Sequence, residues 1–382
     1  MISSPRRERA TAAPLCASGL AALAFIIAPG ITQAAAVPKP VKVMTRNLYL
    51  GADLTPAIVA TSIPALAVAG TQIWNTVQAT DFPARAKVLA KEISDADPAL
   101  IGLQEASLWR TGPPDGPPIL GGTAATTVQY DYLQLLLGEL AAIGSPYVVV
   151  YSQQEADLES ITASGFDIRL TQRDVILANK SKVDTGEITC TNAQGANYPS
   201  AIQLTLQLLP PSGPFVESTR GYVSADCVAN QRAFRFVNTH LEAFSAGRRA
   251  QQAGYLAQYG PASTTSQKVI LVGDLNSDPN DASVDLPDPT PNNTAFNLLK
   301  FTFGYVDTWT VVNGAASGFT SGFNEFVDDP DTSGLTKRID HVMTRPLLTV
   351  RTSRITGTDP DNRTPDGLWP SDHAGVVTTL AP

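Results

Sequence analysis

The residues of this chain that could carry chemistry stand where short apolar runs, typical of buried strands, come to an end. They are carboxylates, amides and histidines, without a cysteine cluster: Asn47, Glu105, His240, Asp274, Asn276, Asp340, Asp372 and His373. All three histidines of the chain, including His341, fall in such places. Strand ends are favoured places for functional groups because the sheet fixes the backbone while the next residue faces solvent. The pattern therefore predicts one polar site.

The candidate ligand atoms of this site are mainly oxygens. Carboxylates and amides suit a hard cation, which indicates Mg²⁺ first, with Mn²⁺ or Ca²⁺ as alternatives. The formal net charge is −8, so a broadly basic nucleic-acid scaffold is excluded. Such a chain has little cationic charge for phosphate, and a bound divalent ion would supply it.

The elements that would hold these residues alternate between strand and helix. The fold class predicted from this order is α/β (α+β): a four-layer sandwich of two mixed sheets packed face to face and flanked by helices. The predicted strands lie near 42–47, 99–103, 146–152, 174–180, 201–209, 234–240, 268–273, 338–345 and 375–380. The predicted helices lie near 53–80 (in pieces), 82–95, 127–143, 246–259 and 294–300.

The first 36 residues have the layout of a secretory signal peptide. A basic start at 6–9 precedes an apolar run at 15–28, and Ala34-Ala35-Ala36 offers a cleavage site. The apolar run is too short for a membrane span. We expect a secreted or extracytoplasmic protein of residues 37–382, forming one domain.

Cleavage would leave two cysteines, Cys190 and Cys227, in a strand-rich region. An even pair in an exported protein is a candidate disulfide. Two buried free thiols are the alternative.

Six short motifs, in this order, resemble the endonuclease/exonuclease/phosphatase superfamily, which includes deoxyribonuclease I, abasic-site endonucleases, inositol polyphosphate 5-phosphatases and bacterial sphingomyelinases. They are TRN (45–47), LQE (103–105), NTHLE (238–242), GDLNSDP (273–279), RIDH (338–341) and SDH (371–373). The resemblance covers about residues 41–382 and implies a deoxyribonuclease I-like fold. Segments near 51–80 and 153–170 are longer than a minimal family core, and insertions of this kind usually select substrate.

The resemblance also implies roles for individual residues. Glu105 matches the principal metal ligand, supported by Asn47 and Asp372. His373 matches the histidine that acts on the water or the phosphate, and Asp340 would orient its imidazole.

Three further residues match the family's groups for water and phosphate. Asp274 would position or deprotonate the attacking water, Asn276 would hydrogen-bond the phosphoryl oxygens, and His240 would donate to a phosphoryl or leaving oxygen. His341, at a position where many members have tyrosine, is predicted to pack. The family's structural Arg-x-x-Gln helix is matched by Arg248 or Arg249 together with Gln251 or Gln252.

Two residues depart from the family pattern. Asp174 is either a partner of His240 or a surface carboxylate, and Arg173 is a candidate phosphate contact.

These features predict a secreted, Mg²⁺-dependent hydrolase that attacks phosphorus directly with an activated water, on a phosphodiester rather than a monoester. The candidate substrates are nucleic acid, a phospholipid head group or a small phosphate, and no obligate protein partner is expected. No basic cluster favours nucleic acid or inositol phosphates, whereas the apolar stretch 57–69 could anchor a lipid.

A phosphomonoesterase and a non-catalytic binding protein are the alternatives. A serine hydrolase is excluded because adjacent residues in SDH cannot form a triad and no G-x-S-x-G motif occurs.

Overall fold

Apolar runs of the sequence form the central strands of two β-sheets in the computed structural model, which describes residues 39–263 and 266–382. The predicted signal peptide lies outside these described residues. The strands are β1 (Val41–Asn47), β2 (Leu100–Gln104), β3 (Leu108–Gly112), β4 (Thr127–Asp131), β5 (Tyr147–Ile161), β6 (Asp167–Asn179), β7 (Ile188–Asn197), β8 (Leu204–Gln207), β9 (Phe215–Ser218), β10 (Gly221–Ala229), β11 (Arg232–His240), β12 (Lys268–Asp274), β13 (Val306–Asp307), β14 (Asp340–Arg345), β15 (Thr349–Thr356) and β16 (Gly375–Ala381).

The longer helices begin at polar residues whose side chains cap them. Asp81 accepts a hydrogen bond from the Ala84 N–H at one start, and Ser245 accepts one from the Arg248 N–H at another. The helices are α1 (Thr55–Ile58), α2 (Ile63–Ala79), α3 (Phe82–Ala96), α4 (Tyr132–Ala142), α5 (Lys180–Asp184), α6 (Ala246–Gln258), α7 (Thr294–Asn297) and α8 (Thr308–Asn313). Among the described residues, no helix combines the length and the apolar character needed to cross a membrane.

Both large sheets are mixed. One has the order β15-β16-β1-β2-β6-β3-β4, with β5 paired to β6, and the other has the order β13-β14-β12-β11-β10-β7. Only β1 with β2 and β11 with β12 run parallel among the paired strands described, and the other pairs are antiparallel. The strands β8 and β9 form a separate two-stranded sheet.

The core is divided into layers. Val43, Leu100 and Ile176 of the first sheet meet Phe236 and Val272 of the second sheet in one buried cluster. A second cluster packs helices α2, α3 and α4 on the outer face of the first sheet, and a third packs α6 and α7 on the second. The predicted four-layer α/β sandwich is confirmed.

One buried amide joins the two sheets. The side chain of Asn238 in β11 donates to the carbonyls of Leu103 (2.9 Å) and Val175 (3.2 Å), and its oxygen accepts from the Gln104 amide at 2.6 Å. Gly102 permits this approach, because a Cβ there would lie 2.5 Å from Val272 and 2.6 Å from the Asn238 oxygen. The two sheets are therefore hydrogen-bonded to each other directly beside Gln104, the last residue of β2.

Three sequence-based boundaries were wrong in informative ways. Residues 127–131 form strand β4 rather than helix, since Asp131 caps α4 by accepting from the Gln134 N–H at 3.3 Å. The strand predicted at 146–152 continues to Ile161 as β5, which pairs with β6 in a long hairpin. In the segment 201–209, only Leu204–Gln207 is a strand.

The cysteines Cys190 and Cys227 lie opposite each other on β7 and β10 and form a disulfide. The pairing expected from the sequence is present in the structure.

We expect Asn238→Leu to lower the free energy of unfolding by about 3 kcal/mol, because two buried carbonyls and the buried Gln104 amide each lose a hydrogen bond to the Asn238 side chain. Urea denaturation of residues 37–382 measures this loss. Asn280→Leu, the same change at an exposed asparagine, should shift stability by no more than about 0.5 kcal/mol. Equal effects of the two substitutions would contradict the role assigned to Asn238.

Candidate active site

Strand direction brings the predicted site residues to one edge of the sandwich. Asn47, His240 and Asp274 are the last residues of β1, β11 and β12, and Glu105 directly follows β2. The antiparallel strands start at the same edge, because Asp340 opens β14 opposite Asp274 and His373 lies two residues before β16. Side chains from both sheets then meet: the Asn47 amide donates to the Asp274 carboxylate at 3.1 Å.

These side chains line one cavity of about 300 Å³. Of the eight residues predicted from the sequence, six line it: Glu105, His240, Asp274, Asn276, Asp372 and His373. Asn47 and Asp340 lie behind them and contact the lining groups directly. Aromatic side chains of Tyr49, Phe244 and Phe323 complete its walls.

The imidazole of His373 is held by carboxylates. Its Nδ1 lies 2.8 Å from Asp340 Oδ2 and 3.8 Å from Asp274 Oδ2, so its Nε2 is left toward the cavity. Burial lowers the pKa of His373, but Asp340, Asp372 and Asp274 together outweigh burial and raise that pKa well above its usual value. The surrounding carboxylates therefore favour the protonated form of His373.

Asp274 is the most connected carboxylate of the site. One oxygen accepts from the backbone N–H of Asn276 at 2.8 Å, and the other accepts from Asn47. Burial, and then the nearby charge of Asp340, raise the pKa of Asp274 to about 7. A carboxylate with this pKa is a stronger base than an ordinary aspartate, which suits it to accept a proton near neutral pH.

Glu105 and Asp372 form the acidic side of the cavity. Glu105 has a left-handed backbone conformation (φ 55°), and its Oε2 accepts from the Leu50 N–H at 2.7 Å. Burial, and then the charge of Asp372, raise the pKa of Glu105, and burial likewise raises the pKa of Asp372. Glu105 and Asp372 are half-buried, and carboxylates held this close together are stabilised by a cation.

Two groups, each of two acidic residues and one histidine, lie in or beside the cavity. One ligand atom from each of Asp274, Asp340 and His373 falls within 4.8 Å of the other two, as do those of Glu155, Asp174 and His240. The buried Oδ1 of Asp340 has no hydrogen-bond partner. The site therefore offers several arrangements of acidic groups that could hold a divalent ion.

Arg220, which the sequence analysis missed, contacts His240. Its guanidinium donates to His240 Nδ1 at 2.9 Å, so the ring's proton must be on Nε2. The Nε2–H faces the Asp274 carboxylate, whose Oδ2 lies 3.5 Å away, and the Asn276 side-chain nitrogen, which donates to the Leu241 carbonyl at 3.0 Å, lies 3.1 Å from the same ring atom. Burial, and then Arg220, lower the pKa of His240 well below its usual value. His240 is thus a neutral hydrogen-bond donor, and His373 is a charged one.

Buried carboxyls surround Arg220: Glu242 lies 4.0 Å from its Nε, and Glu155 and Asp174 form a pair nearby. Burial raises the pKa of Glu155 to about 8, and burial and Glu155 raise the pKa of Asp174 well above its usual value, while Arg220 lowers both. This pair therefore holds a proton at neutral pH. Of the two interpretations of Asp174, the surface carboxylate is wrong, because the residue is fully buried beside His240.

The remaining residues singled out from the sequence have structural contacts. His341 lies between Arg338 and the Ser277 carbonyl, at 3.1 and 3.2 Å, which agrees with its predicted packing role. Arg173 pairs with Asp131 at 2.6 Å and does not line the cavity, so it is not a phosphate contact.

The Arg-x-x-Gln helix is α6. Arg249 donates to the carbonyl of Asn276, and Gln252 accepts from the Glu242 N–H at 2.9 Å. These two residues support the site loops from behind.

Replacing Arg220 with glutamine should raise the pKa of His240 toward its ordinary value, because a positive charge beside the ring is lost while burial remains. With only three histidines in the chain, an NMR titration can follow each ring. Arg220→Lys keeps the charge and should preserve a lowered pKa. An unchanged His240 titration in Arg220→Gln would refute the contact.

Comparison with known proteins assigns this chain to a family. A comparison with curated protein sequences finds no match. The profile of the Endonuclease/Exonuclease/phosphatase family matches residues 73–373.

Solved structures share the fold at low sequence identity. A family protein from Bacteroides thetaiotaomicron is 16% identical, with 90% of this chain and 98% of that chain covered and a TM-score of 0.53. A mannosyl-6-phosphatase from the same species is 16% identical (89% and 99% covered, TM-score 0.52). D. rerio TDP2, solved with a single-strand DNA product, is 14% identical (89% and 98% covered, TM-score 0.51). Because the family profile spans most of the chain, this protein belongs to the Endonuclease/Exonuclease/phosphatase family.

Proposed function

We propose that this protein is a divalent-metal-dependent hydrolase that cleaves a phosphodiester by in-line attack of water. The family's enzymes hydrolyse phosphate esters. The observation that carries the proposal is one cavity in which a carboxylate base, two histidine donors of different charge and a pair of repelling carboxylates face each other. Base, proton donors and a cation site are the groups that phosphoryl transfer requires.

Glu105, Asn47 and Asp372 would hold the metal ion. Their donor atoms are oxygens, and the raised pKa values of the two carboxyls reflect repulsion and burial that a cation would offset. Mg²⁺ is the first choice for such a set, with Mn²⁺ and Ca²⁺ as alternatives. When bound, a divalent ion polarises a phosphoryl oxygen and neutralises charge on the leaving oxygen.

The protein's own groups divide the remaining work. Asp274 orients the attacking water and accepts its proton, for which a pKa of about 7 is suitable. The Asn276 amide and the Nε2–H of His240 donate to phosphoryl oxygens as negative charge grows on them. His373, held by Asp340, provides a charged donor on the same cavity.

The composition of the cavity favours a substrate with few negative charges. Among the described residues that line it, Arg220 is the one lysine or arginine, and Arg220 is buried against carboxyls. A polynucleotide or an inositol polyphosphate would be expected to meet several cationic side chains. We therefore favour a diester with one phosphate over these two substrates. A phosphomonoester is the second candidate, since the mannosyl-6-phosphatase shares the fold.

Export is part of the proposal. The Cys190–Cys227 disulfide supports an oxidising compartment, as the signal-peptide pattern does. Sequencing the amino terminus of the exported protein tests this, and a chain that still begins before Val37 would contradict the expected cleavage site.

Residues 37–382 should hydrolyse bis(p-nitrophenyl) phosphate with Mg²⁺ and lose this activity in EDTA. His373→Ala should lower kcat at least about 100-fold, the contribution of a positioned proton donor. Release of p-nitrophenolate measures both effects. Hydrolysis of p-nitrophenyl phosphate alone would indicate a monoesterase instead.

Glu105→Gln tests the metal ligand, and Glu187→Gln is its matched control. Glu187 is exposed and lines neither cavity, so its variant should keep full activity, whereas Glu105→Gln should lose it. Metal-independent hydrolysis, or equal activity of the two variants, would contradict the proposed role of Glu105. Inactivity toward diesters, monoesters, DNA and phospholipids alike would indicate a binding protein.

A further inference from the structure

A second cavity of about 300 Å³ adjoins the catalytic cavity. Four side chains, Leu54, Ile58, Leu158 and Leu206, line both cavities, so the two share a wall. The rest of the second cavity is mostly aliphatic, with one tryptophan, and it includes Ala57, Leu66, Ile73, Trp109, Ile119 and Leu170. We call it the apolar cavity.

The apolar cavity is built largely from the segments that exceed a minimal family core. Helices α1 and α2 form one side, the hairpin of β5 and β6 forms another, and the small sheet of β8 and β9 closes the third. The stretch 57–69, considered above as a lipid anchor, is partly engaged here: Ala57, Ile58 and Leu66 face the cavity, while Val59 and Ile63 are exposed.

The charged side chains in the lining already have hydrogen-bond partners within the protein. Asp157 accepts from Arg169 at 2.9 Å and from Thr171 at 2.8 Å, and Glu159 accepts from the Ala125 N–H at 2.8 Å. A polar ligand would therefore find few free partners, and binding would depend on apolar contact.

Resting on the proposed function, we propose that the apolar cavity binds the hydrocarbon chain of the substrate, which is a single-chain amphiphilic phosphodiester. The chain passes Leu54, Ile58, Leu158 and Leu206, while its phosphate occupies the catalytic cavity. The low positive charge of the catalytic cavity and the aliphatic lining of its neighbour favour the same substrate, with one phosphate and one alkyl or acyl chain.

Alkyl p-nitrophenyl phosphodiesters test this, because they share the leaving group and differ only in the chain. From the methyl to the octyl ester, kcat/KM should rise at least about 100-fold, because the octyl ester adds seven methylenes and each fully buried methylene contributes about fourfold. All measurements are made below the micelle concentration. Equal kcat/KM for both esters would overturn the inference and leave the proposed function standing.

The paired variants are Ile119→Glu and Ile143→Glu. Both isoleucines are about half exposed (45% and 50%), but only Ile119 lines the apolar cavity. Ile119→Glu should reduce the octyl-to-methyl ratio at least about tenfold by placing a charge where the chain lies. Ile143→Glu should leave it unchanged. Ala57→Trp, which fills the cavity without adding charge, should also reduce the ratio, and unaltered ratios in both cavity variants would refute the proposal.

Calorimetry with octylphosphocholine and phosphocholine in EDTA separates this inference from the proposed function. Stronger binding of the octyl compound, weakened by Ile119→Glu, would support the apolar cavity even if no ester were hydrolysed. Equal binding of the two compounds would count against the cavity, whatever the hydrolysis results.

Discussion

The structure depends on how closely the two sheets approach each other beside the site. Asn238 holds them there with three hydrogen bonds to the opposite sheet, and Gly102 leaves the room for them. Half of the site residues belong to each sheet, so a wider gap would separate Asn47 from Asp274. The fold thus sets the distance between the acidic side of the cavity and its base through a buried amide that itself lines no cavity.

Buried arginines hold the loops on which the acidic side of the site is built. Arg46 pairs with Glu92 at 3.0 Å and donates to the backbone carbonyl of His373. Arg85 donates to the carbonyls of Leu48 and Pro370, at 2.9 and 3.0 Å. Each guanidinium therefore ties the segment after β1 or the segment before β16 to the core. Both arginines are fully buried and neither lines the catalytic cavity, so their positive charge cannot contact a polyanionic substrate there.

The motif residues were predictable because strand direction alone decides where they lie. Asn47, His240 and Asp274 end strands, Glu105 follows one and Asp340 begins one, so one edge collects them. Arg220 was not predictable, because it precedes β10 and carries no motif of its own. Asn238 lies within the NTHLE motif and a predicted strand, but the sequence alone does not indicate that its side chain bonds to the opposite sheet. The apolar cavity was equally hidden, since it exists only when α1 and α2 pack beside a hairpin whose length the sequence did not reveal.

Metal binding by Glu105 is the central claim, because the proposed chemistry needs a divalent ion, which no side chain can replace. Calorimetric titration of Mg²⁺ into metal-free residues 37–382, without substrate, tests it most directly. The account predicts saturable binding that Glu105→Gln weakens at least about tenfold, as the loss of a ligand to the metal would. Unchanged Mg²⁺ affinity in Glu105→Gln, or no binding to the unaltered protein, would contradict it.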